Sequence, residues 1–353
     1  MKRRYIEPLE PRQLLAGNIS AVLQGADLVI QGDDLANTLS VSQSAPDRVN
    51  LRTIAPDERF PDTTINIFST SLQFENVTGA IIVRMRGGDD RVFFTGGRFQ
   101  GTVTVDLGLG NDRAEIGRDS VRLERGLDVQ LGGGQDTYLQ TNVRVGQNLS
   151  IDGGIGGDGV TLRSSSVGGS LAINGAAGFD AIRLDRTAVG AATGILGGSE
   201  GDRIETIYSA FAAGVSILGG AGGDIVELVG SRFDTTLFVA LEADLGAATV
   251  QGSIIGGSCW LTAAGQADLR FQSSRAGRLE IITGPSHDTV IVDRSALDML
   301  FVSLGEGNDV LRVTGNQIAA GGLFDGQGGI DSLFERIITL GAGRLGFENV
   351  DMM

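Results

Sequence analysis

One cysteine, one histidine and 5% aromatic residues in a chain of 353 exclude several kinds of protein before any motif is read. Cys259 cannot form an internal disulfide, and beside Trp260 it reads as a core side chain rather than a nucleophile. His287 has no serine or cysteine partner implied by the sequence, so a catalytic triad or a histidine-based zinc site has nothing to build on. No apolar run reaches the length of a membrane span, and no stretch between Asp90 and Asp331 carries the 3.6-residue stripe of a helix. Positive charge is also short. With 28 basic against 43 acidic residues, the net charge of −15 and pI near 4.5 disfavour nucleic acid and anionic membrane as partners and favour cations.

What the chain has in abundance is glycine, 55 residues, and a periodic aspartate. Asp90, Asp112, Asp136, Asp158, Asp180, Asp202 and Asp224 follow at intervals of 22, 24, 22, 22, 22 and 22 residues, and the series resumes at Asp268, Asp288, Asp309 and Asp331. A fixed period near 22 marks a solenoid, whose units bury their apolar faces only by stacking. Apolar pairs stand nine and seven residues before the aspartate, as in Leu149 and Ile151 or Leu171 and Ile173. Others stand two and four after it, as in Val160 and Leu162, and a third column stands nine after it, as in Val167, Val189, Phe211 and Phe233. Spacings of two put both members of a pair on one face of a strand.

Glycine clusters precede the aspartate (GGIGGD at 153 to 158, GGSEGD at 197 to 202, GGAGGD at 219 to 224), and small polar residues such as Ser165, Thr187, Ser209 and Ser231 follow it by seven. The former suit tight corners, and the latter suit bonds to turn backbone or to the next unit. The expected fold is all-β: a parallel β-helix, or β-solenoid, with one unit of about 22 residues per coil. A dozen coils at about 4.8 Å would make a rod on the order of 55 Å long with a narrow core that suits few aromatic rings.

Two rungs strain the register. Gly246 stands where an aspartate is expected, and Asp268 is followed by Arg270 where an apolar residue is expected. Leu28, Ile30, Asn37, Leu39 and Val41 reproduce one rung with asparagine in the aspartate's place. The chain therefore divides into an N-terminal segment (1–17), a first rung with a cap or insertion (18–80), the repeats (81–341) and a C-terminal closure (342–353).

Carboxylates stacked one per coil repel by roughly 3.5 kcal/mol per neighbouring pair at an effective dielectric of 20. Backbone N–H groups, arginine or bound cations would each compensate them, and carboxylate with carbonyl oxygen is the donor set Ca²⁺ prefers. GGIGGD and GGAGGD resemble the calcium-binding nonapeptide repeats of RTX-type β-rolls, GGxGxD followed by an apolar strand, and LGLGND, LGGGQD, LGEGND and GQGGID each lack one glycine of it. The resemblance implies calcium between successive turns, carried here by Asp112, Asp136, Asp158, Asp202, Asp224, Asp309 and Asp331. It is partial, because that family repeats every nine residues and this chain offers one such turn per coil.

Leu9-Glu10-Pro11-Arg12-Gln13-Leu14-Leu15 resembles the LEPR-XLL N-terminal domain of large bacterial secreted or surface repeat proteins. That likeness implies an extracellular or cell-surface location. Together these readings point to a non-catalytic solenoid with a structural or adhesive role, having calcium ions and surface polysaccharide or matrix proteins as partners. The competing class is a polysaccharide-acting β-helix enzyme, lyase or hydrolase, or a carbohydrate-binding module. Outward Asp185, Arg186, Arg203, Glu205, Asp293 and Arg294 would be its raw material, although surface charge explains them more simply.

Overall fold

Each unit closes one coil through three strands. In the computed structural model, which describes residues 17–54, 63–117, 119–242, 245–336, 342–345 and 349–352, one rung runs through Leu171–Ala177, Ala181–Asp185 and Ala188–Val189. Alternation dictates what each strand buries. Leu171, Ile173, Ile182, Leu184 and Val189 are at most 2% exposed, each contributing on the order of 1.5–3 kcal/mol by leaving water. Ala172 and Arg183, each standing between the two members of a pair, face outward.

Strands of one coil pair in parallel with their equivalents in the next, residue to residue: Leu149 with Leu171, Leu171 with Thr193, Val160 with Ile182. About 12 such turns form the β-solenoid, and no helix occurs among the described residues. The 24-residue unit absorbs its two extra residues in one corner: Val121 and Leu123 both point inward, in register with Val143 and Val145. Cys259 also faces inward, fully buried beside Leu237 and Leu279 in the long-strand ladder.

At the N-terminal end a further rung stacks on the repeats. Asp27–Gln31 and Thr38–Ala45 pair in parallel with Ile81–Arg84 and Arg91–Phe94. The intervening chain then leaves the solenoid pattern: Arg48–Thr53 folds back antiparallel on Thr38–Ala45, and Ser71–Phe74 lies antiparallel on Arg48–Thr53. At the other end, Ala342–Leu345 and Asn349–Met352 pair in parallel with Gln317–Asp325 and Ser332–Arg336. The LEPR-XLL-like heptapeptide lies outside the described residues.

One register reading is corrected. Gly246 pairs with Ala267, so Ala267 and not Asp268 occupies the aspartate position. Asp268 turns outward, where both its carboxylate oxygens bond Arg270 at 2.7 and 2.6 Å. Leu269 and Phe271 then fill the inward positions that Arg270 had made problematic. A strand slipped by one residue exchanges its faces, and burial of Phe271 fixes the choice.

Candidate functional site: the aspartate column

The ten aspartates in register are buried, none more than 3% exposed. The column is a hydrogen-bonded ladder. The backbone N–H of each residue in the series donates to Oδ1 of the aspartate one rung further on: Asp90 to Asp112 at 2.6 Å, Asp112 to Asp136 at 2.7 Å, Asp136 to Asp158 at 2.8 Å, Asp158 to Asp180 at 2.7 Å, Asp180 to Asp202 at 2.8 Å and Asp202 to Asp224 at 2.9 Å. Asn37 starts the run by donating to Asp90 at 2.7 Å. Gly246 and Ala267 interrupt it, and it resumes as Ala267 to Asp288, Asp288 to Asp309 and Asp309 to Asp331 at 2.7, 2.7 and 2.9 Å.

The glycine motif follows from this geometry. The fourth and second residues before the aspartate take positive φ, as at Gly154 (98°) and Gly156 (128°), where glycine is favoured. The fifth, for example Gly197, faces inward against the carboxylate itself: a Cβ there would lie 2.4 Å from Asp202 Oδ2 and 2.3 Å from the carbonyl oxygen of Gly219. Gly153 and Gly175 make the same approach to Asp158 and Asp180. Each requirement is met by turn geometry and close packing.

The second carboxylate oxygen explains the electrostatics. Oδ2 of Asp90, Asp112, Asp136, Asp158, Asp180, Asp202 and Asp309 is buried with no hydrogen-bond partner among the described residues. Burial therefore pushes these carboxyls up, against the N–H bond that favours the charged form: Asp90 to about 9, Asp112, Asp158 and Asp202 to about 7, Asp136 and Asp309 to about 6. Asp180 and Asp288 are raised by the same cause. In several rungs neighbouring carboxylates add to the rise, as Asp136 and Asp180 do for Asp158.

Calcium asks for six to eight oxygens around one point. Of the seven residues expected to bind it, Asp112, Asp136, Asp158, Asp202, Asp224, Asp309 and Asp331, each already accepts an N–H at Oδ1, and all lie inside the coil rather than between its outer turns. No group of three or more histidine, cysteine, aspartate or glutamate side chains is placed to hold a metal among the described residues. As placed, these carboxylates form a hydrogen-bonded ladder, with no three of them converging on one point among the described residues.

Two further ladders were only partly legible. Seven residues after the aspartate, the hydroxyl of Ser231 accepts the Ser209 N–H at 3.2 Å and donates to the carbonyls of Val229 and Thr206 at 3.2 and 3.3 Å. Ser209, Ser253, Ser274 and Ser295 repeat the pattern, and Asn316 continues it. On the outer turn, Asp89 accepts the N–H of Asn111 and Asn111 that of Gln135, at 2.8 and 2.9 Å. His287 does the same for Asn308 through Nδ1 at 2.8 Å, which gives the sole histidine a turn-bonding role.

Several outward charges are paired. Arg183, Glu205, Arg203 and Glu227 form a chain of ion pairs across adjacent rungs. Burial opposes ionisation of Glu205, but the hydrogen bonds from Arg203 and Arg183 outweigh it and lower its pKa. Asp185, expected outside, is only 6% exposed, with Arg163 and Arg186 at 3.6 and 3.5 Å. Asp293 and Arg294 pair with each other at 2.8 Å.

Fold and site together define a β-solenoid with a buried acidic ladder. No protein-family model matches the chain, and no curated protein is detectably similar to it.

Proposed function

We propose that this protein is a non-catalytic solenoid of the cell surface or extracellular matrix, with a structural or adhesive role and surface polysaccharide as its partner. The observation that carries the reading is the unbroken register from Leu127–Gly133 to Val215–Ala221, in which four successive pairings of the long strand proceed without an inserted loop. A cleft for a polymer needs long loops or convergent acid and base groups, whereas here outward carboxylates such as Glu205 and Glu227 are held by arginines. Export rests on the LEPR-XLL resemblance. The aspartate column serves this rod as internal scaffolding.

The test is incubation of the purified chain with insoluble and soluble polysaccharides, reading co-sedimentation, reducing ends and ultraviolet absorbance of unsaturated products. Retention on a polysaccharide without product is the expected result. Product formation would overturn the non-catalytic reading and make the chain a hydrolase or, with unsaturated ends, a lyase.

A further inference from the structure

The outward face of the long-strand sheet changes character along the rod. In the row that begins with Ser150, Ala172, Gly194 and Ser216, the next rungs present Phe238, Trp260, Glu280, Phe301 and Leu323, each in register with its neighbour. Trp260 and Phe301 stand two rungs apart, about 9.6 Å at ~4.8 Å per rung. Their setting is organised: Trp260 Nε1 donates to Glu280 Oε2 at 3.2 Å, Arg278 holds the same carboxylate at 2.7 Å, and the Arg278 guanidinium lies 4.4 Å from the Phe301 ring centroid. Ile282 and Met299, each 41% exposed, flank the row.

Along the same strands the surface dips into a hollow of about 450 Å³, lined by Arg275, Ala296, Asp298, Gln317 and Ala319. The side chains of Arg275, Asp298 and Gln317 have no hydrogen-bond or ion-pair partner among the described residues. Asp298 precedes Phe301 by three residues on the strand Ala296–Ser303, across a register shift between Leu297 and Met299, so hollow and aromatic row lie no more than about 10 Å apart along the chain.

We propose that this face, from Phe238 to Leu323 with the adjoining hollow, binds a neutral polysaccharide. The inference rests on the adhesive reading above and gives it a ligand and a site. Flat rings accept the C–H face of a pyranose, while the forked side chains of Arg275, Asp298, Gln317 and Glu280 suit vicinal hydroxyls, which both donate and accept. A two-rung spacing of rings matches a polymer that repeats by the disaccharide. The charged pair Arg278–Glu280 in the middle of the row argues against a lipid surface or an apolar protein helix, either of which would strip water from it. A net charge of −15 disfavours polyanionic glycans.

Trp260 is the only tryptophan, so its fluorescence reports this face alone. The full chain is titrated with cellohexaose, xylohexaose, mannohexaose and laminarihexaose, with polygalacturonate as the anionic comparison. At least one neutral oligosaccharide should give a saturable change in emission. Phe301→Ala and Gln317→Ala should each weaken it at least tenfold with an unaltered circular dichroism spectrum, and Tyr208→Ala, on a distant corner, should not. Calorimetry with Trp260→Ala checks the same loss without the reporter. Absence of binding by every neutral glycan, preference for polygalacturonate, or binding indifferent to Trp260, Phe301 and Gln317 overturns the proposal. Glycan retention that survives all three substitutions would leave the adhesive role standing and remove this site from it.

Discussion

Acid should stabilise this protein. Oδ2 of Asp158 is buried without a partner, its neighbours in the column are Asp136 and Asp180, and burial raises the group to about 7. A folded-state pKa above the unfolded value of 3.8 means that the native state binds the extra proton. The stabilisation is therefore complete below about 3.8 and is lost as pH rises through about 7. Each such group costs up to about 1.4 kcal/mol per pH unit across that window, falling to half that slope at pH 7, so Asp112, Asp158 and Asp202 together would remove roughly 7 kcal/mol between pH 5 and pH 7. This is comparable to the whole folding free energy of an ordinary domain, about 5–15 kcal/mol. Thermal unfolding followed by circular dichroism should show a midpoint on the order of 10–20 °C higher at pH 5 than at pH 8. Asp158→Asn separates the column from the rest of the molecule. Asparagine keeps an oxygen for the Asp136 N–H and supplies N–H groups on the other side, as Asn37 does with Leu35 and Asp33 at 2.6 and 3.1 Å. The variant should be stabilised by roughly 2–4 kcal/mol at pH 8 and be nearly neutral at pH 4. A midpoint that is flat or rises from pH 5 to pH 8, together with a destabilised Asp158→Asn, would refute the reasoning.

Three other outcomes follow from the same geometry. Millimolar Ca²⁺ should raise the melting midpoint no more than Mg²⁺ does, relative to EDTA; a calcium-specific rise would restore calcium to the aspartate turns. Gly197→Ala should cost roughly 2–4 kcal/mol by chemical denaturation, because its Cβ would strike Asp202 and Gly219, whereas Gly194→Ala, with nothing within 4 Å of its Cβ, should stay within about 0.5 kcal/mol. Ser231→Ala should lose about 1–3 kcal/mol, since it leaves the buried Ser209 N–H without its acceptor; Arg203→Ala, which breaks only surface ion pairs, should lose less than about 1 kcal/mol in the same assay.

The sequence determined the coil. A 22-residue period, apolar residues at spacings of two and glycine before aspartate leave a stacked solenoid as the fold that buries every inward column, and Leu171, Ile173, Ile182, Leu184 and Val189 lie where that pattern puts them. It also located the aspartate column and the Ser/Thr corner. Local periodicity could not decide between Ala267 and Asp268, because both fall near the right interval; burial of Leu269 and Phe271 against adjacent rungs settled it. Nor does a motif tell which way a carboxylate points. GGxGxD is compatible with an outer cation cage and with an inner ladder, and only the closed coil shows Oδ1 on the preceding rung's N–H and Oδ2 packed on glycine. Phe238, Trp260 and Phe301 are separated by 22 and 41 residues in the chain, and each alone reads as an ordinary strand residue. Stacking makes them one surface, because in a parallel solenoid contact follows the rung and not the sequence.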